Sequence, residues 1–246
     1  MKVQGLFLSA VFVLKLLAFL VHNIENEPTR LVVESTHLNT QTEVWIHQLG
    51  DSPAPKPILY FTDGRKLVDQ NYWDHLETLF LQGEIPSCYI VFVGSIDLTD
   101  QSDRRNEYFF CNPAYLDFFE QELIPKVEAS ISQVFQANDR ALVGVSFGGL
   151  NAAWFSAKSN AFDNFALLSP ITYPCPDLLQ SIIFSKNEGL SIYLSSGKND
   201  AEQYMDPLSK IYEVKGYRQT TIYHEGRHDF GSWKAQLAPA IQFLFP

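Results

Sequence analysis

Basic residues are few in this chain and cysteines fewer, and the two shortages exclude different things. Lys and Arg number 18 against 28 Asp and Glu, a formal net charge of -10, and the cations nowhere cluster. A nucleic-acid partner needs a basic patch to neutralise phosphate, so that class drops out. The 3 cysteines, Cys88, Cys111 and Cys175, allow at most one intrachain disulfide. They form no CxxC and no Cys/His cluster, which argues against structural zinc. Cys88 opens an apolar run and reads as core. If one pair is oxidised, Cys111 with Cys175 is expected, because both follow strands at the edge where loops gather. Internal repeats, low-complexity tracts and long charge blocks are also absent. What remains is 46% hydrophobic and 19% charged, with 13 Gly and 13 Pro in 246 residues. That is the composition of a packed globular protein, at a length that suits one α/β domain.

The start, "MKVQGLFLSAVFVLKLLAFLV", has a basic first turn and an apolar run from Gly5 to Val21. It resembles a secretory signal or an N-terminal anchor. Lys15 interrupts the run, at a cost of roughly 2.5 to 3.5 kcal/mol at a membrane centre, the run is short for a full span, and no A-x-A-like cleavage site follows. Residues 1–28 are therefore expected to be a signal-like or anchoring segment, which implies an exported protein or one associated with a membrane through this segment. A packed or surface-lying amphipathic helix, and with it a cytoplasmic protein, is the alternative. The domain proper is expected over 29–246.

From Thr29 the pattern alternates. "RLVVES" and "TEVWIHQ" read as a hairpin by their period of two. "ILYFTDG" reads as a buried strand ending in a turn, and "CYIVFVGS", apolar throughout, as a strand covered on both faces. A helix carrying Trp73, Leu76, Leu79 and Phe80 lies between them. The spacing of Leu116, Phe119, Leu123, Val127, Ile131 and Val134 predicts one helix over 113–134, bent by Pro125. "ALVGV", "NFALLS", "LSIYLSSG" and "QTTIYHE" then alternate with helices after Val145, near Met205 to Lys215, and from Ser232 to Phe243. This is a doubly wound, mostly parallel α/β sheet with an antiparallel start.

The "ALVGVSFGGLNAAW" stretch puts Ser146 between Gly144 and Gly148, after a strand and before a helix. This fits the G-x-S-x-G elbow, a sharp turn that lifts a serine above the sheet edge. A serine hydroxyl is a poor nucleophile alone; it needs a base and donors for the oxyanion. An acid and a histidine should follow in that order, each after a late strand. Asp200 follows "IYLSSG", with Glu202 and Asp229 as rivals. His22, His37, His47 and His75 all precede Ser146, which leaves His224 and His228. His224 sits at a strand end, where packing is its ordinary role; His228 lies in a loop and is the better base. Oxyanion donors are expected from the amide of Phe147 and from one after "ILYFTDG", that of Arg65 or Gly64.

At these residues the chain resembles the esterase branch of the α/β hydrolases. That group holds S-formylglutathione hydrolase (esterase D), enterochelin esterases, feruloyl esterases and mycobacterial mycolyltransferases. The patches "PILYFTDG", "DRRNEYF", "LVGVSFGG", "FALLSP" and "GRHDFGSW" carry the resemblance across 29–246. It implies an α/β-hydrolase fold and a serine esterase acting on carboxylic esters or thioesters through Ser146, His228 and Asp200. No cofactor and no metal are implied, and the partner is a small-molecule ester. The "DRRNEY" patch resembles a segment at the rim of the site, with Arg104 and Glu107 as substrate-binding residues; an ion pair fixing the loop is the alternative. Trp233 keeps an aromatic position of the family and is a further substrate-binding candidate, although Trp73, Tyr108, Phe147 and Trp233 all serve equally to fill a core. Too little chain separates "LLSP" from the acid for a large lid, which disfavours long buried acyl chains. An acyltransferase, or a binding protein that has kept the fold, is the alternative function.

Overall fold

The structure, a computed structural model, describes residues 28–51 and 54–246. The signal-like stretch, but for its last residue, lies outside them. β1 (Thr29–Ser35) and β2 (Thr40–Leu49) form the antiparallel hairpin, Thr29 opposite Ile46 and Ser35 opposite Thr40. β3 (Ile58–Phe61), β4 (Cys88–Asp97), β5 (Arg140–Val145), β6 (Asn164–Leu168), β7 (Ser191–Gly197) and β8 (Arg218–His224) follow. Together they form an eight-stranded sheet in the order β1-β2-β4-β3-β5-β6-β7-β8. β2 pairs antiparallel to β4, and every pairing from β4 onward is parallel.

Strand alternation sends successive side chains to opposite faces, and here both faces are dry. Tyr60, Val91, Val93, Leu142, Phe165 and Leu167 belong to one apolar cluster; Leu59, Phe61, Ile90, Phe92, Val143 and Ala166 belong to the other. This is why the central strands read as continuous apolar runs. Each such side chain taken out of water contributes roughly 1.5 to 3 kcal/mol. The second cluster is covered by α1 (Gly64–Asp69), α2 (Tyr72–Leu81), α9 (Phe230–Lys234) and α10 (Leu237–Leu244). The first is covered by α3 (Arg105–Phe109), α4 (Pro113–Asp117), α5 (Ile124–Ala129), α6 (Phe147–Lys158), α7 (Leu178–Ile183) and α8 (Glu202–Val214).

Two helices depart from the sequence pattern, both at prolines. The helix expected over 113–134 is α4, a wide π-helical stretch at Phe118–Leu123, and α5, which stops at Ala129. Pro125 has no N–H to offer the carbonyl four residues back, so the turn before it widens. Ile131 and Val134 lie beyond the helix, and Val134 is exposed. The final helix is broken into α9 and α10 because Pro239 cannot donate to the carbonyl of Ala235. The turn read after β3 runs directly into α1, and α3 and α7 are short helices inside stretches read as loop.

Cys111 and Cys175 are joined, their Cα atoms 6.1 Å apart and 64 residues apart in sequence. Cys88 is free and buried, and burial pushes its thiol up to about 12. Loop-closure entropy for a bridge of this span corresponds to roughly 4 kcal/mol. The bridge pins the segment after α3 to the loop after β6.

Candidate active site

In chain order β3 is followed by β4 on one side of it, and then β5 to β8 build outward on the other. The order reverses between β3 and β5, the switch point at which the loops after the two strands diverge and where ligands of such sheets bind. The turn after β3 supplies Asp63 to Arg65, and the turn after β5 supplies Ser146.

Ser146 follows β5 directly, with φ 57° and ψ −118°, a conformation that costs a side-chain-bearing residue free energy and persists only where the surroundings impose it. Here they do. Its N–H donates to the Leu168 carbonyl at 2.9 Å, and its own carbonyl accepts from Leu150 and Ile171, each at 3.2 Å. The flanking glycines are required by close approach: a Cβ on Gly144 would lie 2.0 Å from the Gly148 carbonyl oxygen, and one on Gly148 would lie 2.4 Å from Thr62 Oγ1. α6 begins at Phe147, so the amides of Phe147 and Gly148 belong to the first turn of a helix, where no intrahelical acceptor exists.

The turn after β3 is built the same way. Asp63, buried and at φ 64°, leads into α1, whose first amides are those of Gly64 and Arg65. Thr62 N–H donates to the Val143 carbonyl at 3.2 Å, which ties this turn to the strand bearing Ser146.

From the far side of β5 come β7 and β8. Asp200 stands in the turn after β7, where its N–H donates to the Gly197 carbonyl at 3.2 Å. His228 stands in the loop after β8. Its Nε2 lies 2.9 Å from Ser146 Oγ and its Nδ1 lies 2.7 Å from Asp200 Oδ1, a continuous hydrogen-bonded line of three side chains drawn from three loops. Trp233 meets the imidazole edge-on, with ring centroids 4.9 Å apart, and its Nε1–H donates to Ser169 Oγ at 3.0 Å. The His228 side chain is 37% exposed and that of Asp200 9%.

The rivals have other work. Glu202 accepts the Asn199 N–H at 2.7 Å, and Asp229 caps α9 by accepting the Ser232 N–H at 2.8 Å, which holds its carboxyl below the usual range. His224 Nδ1 accepts the Gly226 N–H at 3.0 Å and shapes the loop that carries His228.

Arg104 Nη1 donates to Glu107 Oε2 at 3.4 Å, and Nη2 reaches Asp100 at 2.7 Å and Asp97 at 3.6 Å. These two residues form the loop-fixing ion cluster that the sequence left open as the alternative to substrate binding. Trp233 is buried beneath the imidazole rather than lining an open pocket, Tyr108 is buried, and Trp73 stacks on Phe92 at 3.8 Å. Of the aromatic residues considered, Phe147 is the half-exposed one at the site. It begins a row of rings that sequence spacing did not reveal: Phe110 at 4.9 Å and Tyr173 at 5.9 Å from Phe147, then Tyr204 at 6.4 Å from Tyr173. Among the described residues no group of three or more His, Cys, Asp or Glu is placed to hold a metal, and no helix is long and apolar enough to cross a membrane.

Comparison with known proteins identifies the fold and the family. An iron(III) enterobactin esterase of Escherichia coli (strain CFT073) is 28% identical over 132 residues, which are 53% of this chain and 32% of that protein. A homologous esterase of the K12 strain is 29% identical over 126 residues, 50% of this chain and 30% of its own length. The chain thus aligns with about a third of the curated relatives it matches. Among solved structures, the enterobactin esterase of Shigella flexneri, determined in the presence of enterobactin, superposes with a TM-score of 0.78 at 24% identity, covering 89% of this chain and 58% of that one. That likeness shows the α/β-hydrolase fold. The model of the family described as "Putative esterase" matches residues 35–244, nearly the whole described domain. The chain belongs to this esterase family of the α/β hydrolases.

Proposed function

We propose that this chain is a serine hydrolase that cleaves small carboxylic esters or thioesters through a Ser146–His228–Asp200 triad and an acyl-enzyme. The observation that carries the reading is the unbroken hydrogen-bonded line from Ser146 Oγ through the imidazole to Asp200. His228 Nε2 takes the hydroxyl proton as Oγ bonds to the ester carbonyl carbon, and the carbonyl electron pair moves onto oxygen. The amides of Phe147 and Arg65 face that oxyanion from the two adjoining turns. Collapse expels the alcohol or thiol, which takes the proton from His228; water then attacks the acyl group by the same steps in reverse. Asp200 accepts the Nδ1–H bond and so keeps Nε2 unprotonated for its task. The His228 side chain is 37% exposed, so water reaches the imidazole and is the simplest acceptor of the acyl group.

The ring row from Phe110 to Tyr204 beside Ser146 favours a substrate with a planar aromatic group, since offset and edge-on ring pairs each add roughly 0.5 to 1.5 kcal/mol beyond their buried area. Iron(III) enterobactin, after which the E. coli relatives are named, is the first such ester to try. Both ideas are read in one experiment. A fluorophosphonate probe should label Ser146 alone, and an aryl ester or iron(III) enterobactin should slow that labelling more than an aliphatic ester at equal concentration. An unlabelled Ser146 rejects the triad, whereas equal competition rejects the aromatic preference.

We also propose that the protein is exported. The apolar start of the chain and the Cys111–Cys175 bridge support this, since disulfides persist in oxidising compartments. Chain purified from its native host and unfolded without reductant should titrate as a single thiol, that of Cys88. Finding all three thiols would overturn the proposal.

A further inference from the structure

The segment after β4 carries a second arginine beside the one that the sequence singled out, and it has the opposite surroundings. The Arg105 side chain is 15% exposed and that of its partner, Asp63, 1%. The guanidinium meets the carboxylate fork to fork: Nε donates to Oδ1, and Nη2 to Oδ2 at 2.8 Å. Nη2 also lies 3.5 Å from the Val145 carbonyl oxygen. The faces of Phe109 and Phe147 lie 5.2 and 5.3 Å from the guanidinium carbon, one ring from α3 and the other from the first position of α6.

One planar cation therefore touches the residue before Ser146, the residue after it, and the left-handed residue that leads into α1. These are the flanks of the two amides assigned to the oxyanion. A buried ion pair is weak evidence for stability, because desolvation offsets most of the Coulomb gain. What a bidentate fork does supply is fixed geometry. Asp63 sits at φ 64°, where a non-glycine residue must be held by its surroundings, and the surroundings that hold it here are Arg105 and the start of α1. Lys66 Nζ, at 4.0 Å from Asp63 Oδ1 and half exposed, is a peripheral contact.

We propose that Arg105 is a positioning residue for acyl transfer: by clamping Asp63 against the Ser146 turn, it fixes the spacing and aim of the Phe147 and Arg65 amides on the developing oxyanion. This rests on the serine-hydrolase reading above. A donor misplaced by a fraction of an ångström acts on the transition state more than on the bound ester, so the defect belongs in kcat.

The test uses Arg105→Met, which keeps the stem between the two rings, Arg105→Lys, which keeps charge without the fork, and the pair D63N/R105Q, which removes both charges together. Each is assayed for kcat and KM on p-nitrophenyl acetate, for melting temperature, and for inhibition by a boronic acid, whose tetrahedral adduct on a serine mimics the transition state. Arg105→Met should lose about 10²-fold in kcat, the scale of one missing oxyanion donor, with KM changed less than about 3-fold. The boronic acid inhibition constant should rise by the same factor as kcat/KM falls. Arg105→Lys should be intermediate, and the double variant should regain melting temperature without regaining kcat. A purely structural clamp predicts the reverse, with kcat returning as stability returns. A folded Arg105→Lys or double variant with native kcat and native boronate affinity overturns the proposal. If Ser146→Ala is inactive while these variants work normally, this inference alone fails; if Ser146→Ala stays active, the triad fails with it.

Discussion

Ser146→Ala is expected to bring p-nitrophenyl acetate hydrolysis down to the background rate, a loss of about 10⁶-fold in kcat when the nucleophile of a triad is removed. The variant should fold normally. Alanine carries the same Cβ as serine, so the strain at φ 57° is unchanged, and the three backbone hydrogen bonds that hold the turn do not involve the hydroxyl. The deleted oxygen leaves His228 Nε2 without its partner, but that imidazole is 37% exposed, and water can take the place at little cost. A melting temperature close to wild type together with a flat progress curve would therefore isolate the chemistry from the fold. Survival of the full hydrolytic rate in this variant would show that the ester is attacked by another group.

Asp200→Asn carries the second largest expected effect, about 10⁴-fold in kcat. Asp200 Oδ1 lies 2.7 Å from His228 Nδ1, and because a carboxylate can only accept, the tautomer that satisfies this contact carries its proton on Nδ1 and offers Nε2 to Ser146 as an acceptor. An amide at this position can present its NH₂ to Nδ1 instead. The proton then moves to Nε2, and the imidazole meets Ser146 as a donor, unable to take the hydroxyl proton. The loss should be smaller than for Ser146 because Asp200 supports a step that it does not itself perform. Single-turnover kinetics should place the whole effect in acylation and deacylation, with substrate binding little altered. A loss under about 10-fold would pass the orienting role to another acid. Glu202 and Asp229 each accept a neighbouring amide N–H, and neither carboxylate is hydrogen-bonded to the His228 ring.

Much of this architecture is legible in residue order. Continuous apolar runs at "ILYF", "CYIVFV" and "ALVGV" announce strands covered on both sides, and the period of two in "RLVVES" announces the hairpin that β1 and β2 form. Spacing together with Pro125 predicts a bent helix over 113–134, but not the wide turn before that proline or the stop at Ala129, and spacing alone passes over Pro239, whose nitrogen cannot donate.

The site divides along the same line. The residues Ser146, Asp200 and His228 can be picked out one by one, because an elbow serine, a late acid and a loop histidine each have a local mark. Loop position favours Asp200 over Glu202 and His228 over His224; the distances from His228 to Ser146 and Asp200 agree with it, while Glu202 and His224 bond to nearby amides. Arg104 and Arg105 are neighbours of one residue type at the start of α3, and no local pattern separates them. Only packing does: Arg104 points to the exposed carboxylates of Asp100 and Glu107 and to the edge of Asp97, and its neighbour points inward to Asp63, which lies 42 positions earlier in the chain. The ring row from Phe110 to Tyr204 is spread over four separate segments and is equally invisible until they meet.

By itself, then, the order of amino acids marked the strands, the elbow turn at Ser146 and the kinds of group available for proton transfer, because each leaves a local pattern of residue types. Which arginine is buried, which rings line up beside Ser146 and how far the imidazole stands from the hydroxyl were decided only when the strands from β3 to β8 came together in one sheet. Those are distances between loops remote in sequence, and a chain has no such distance until its sheet has closed.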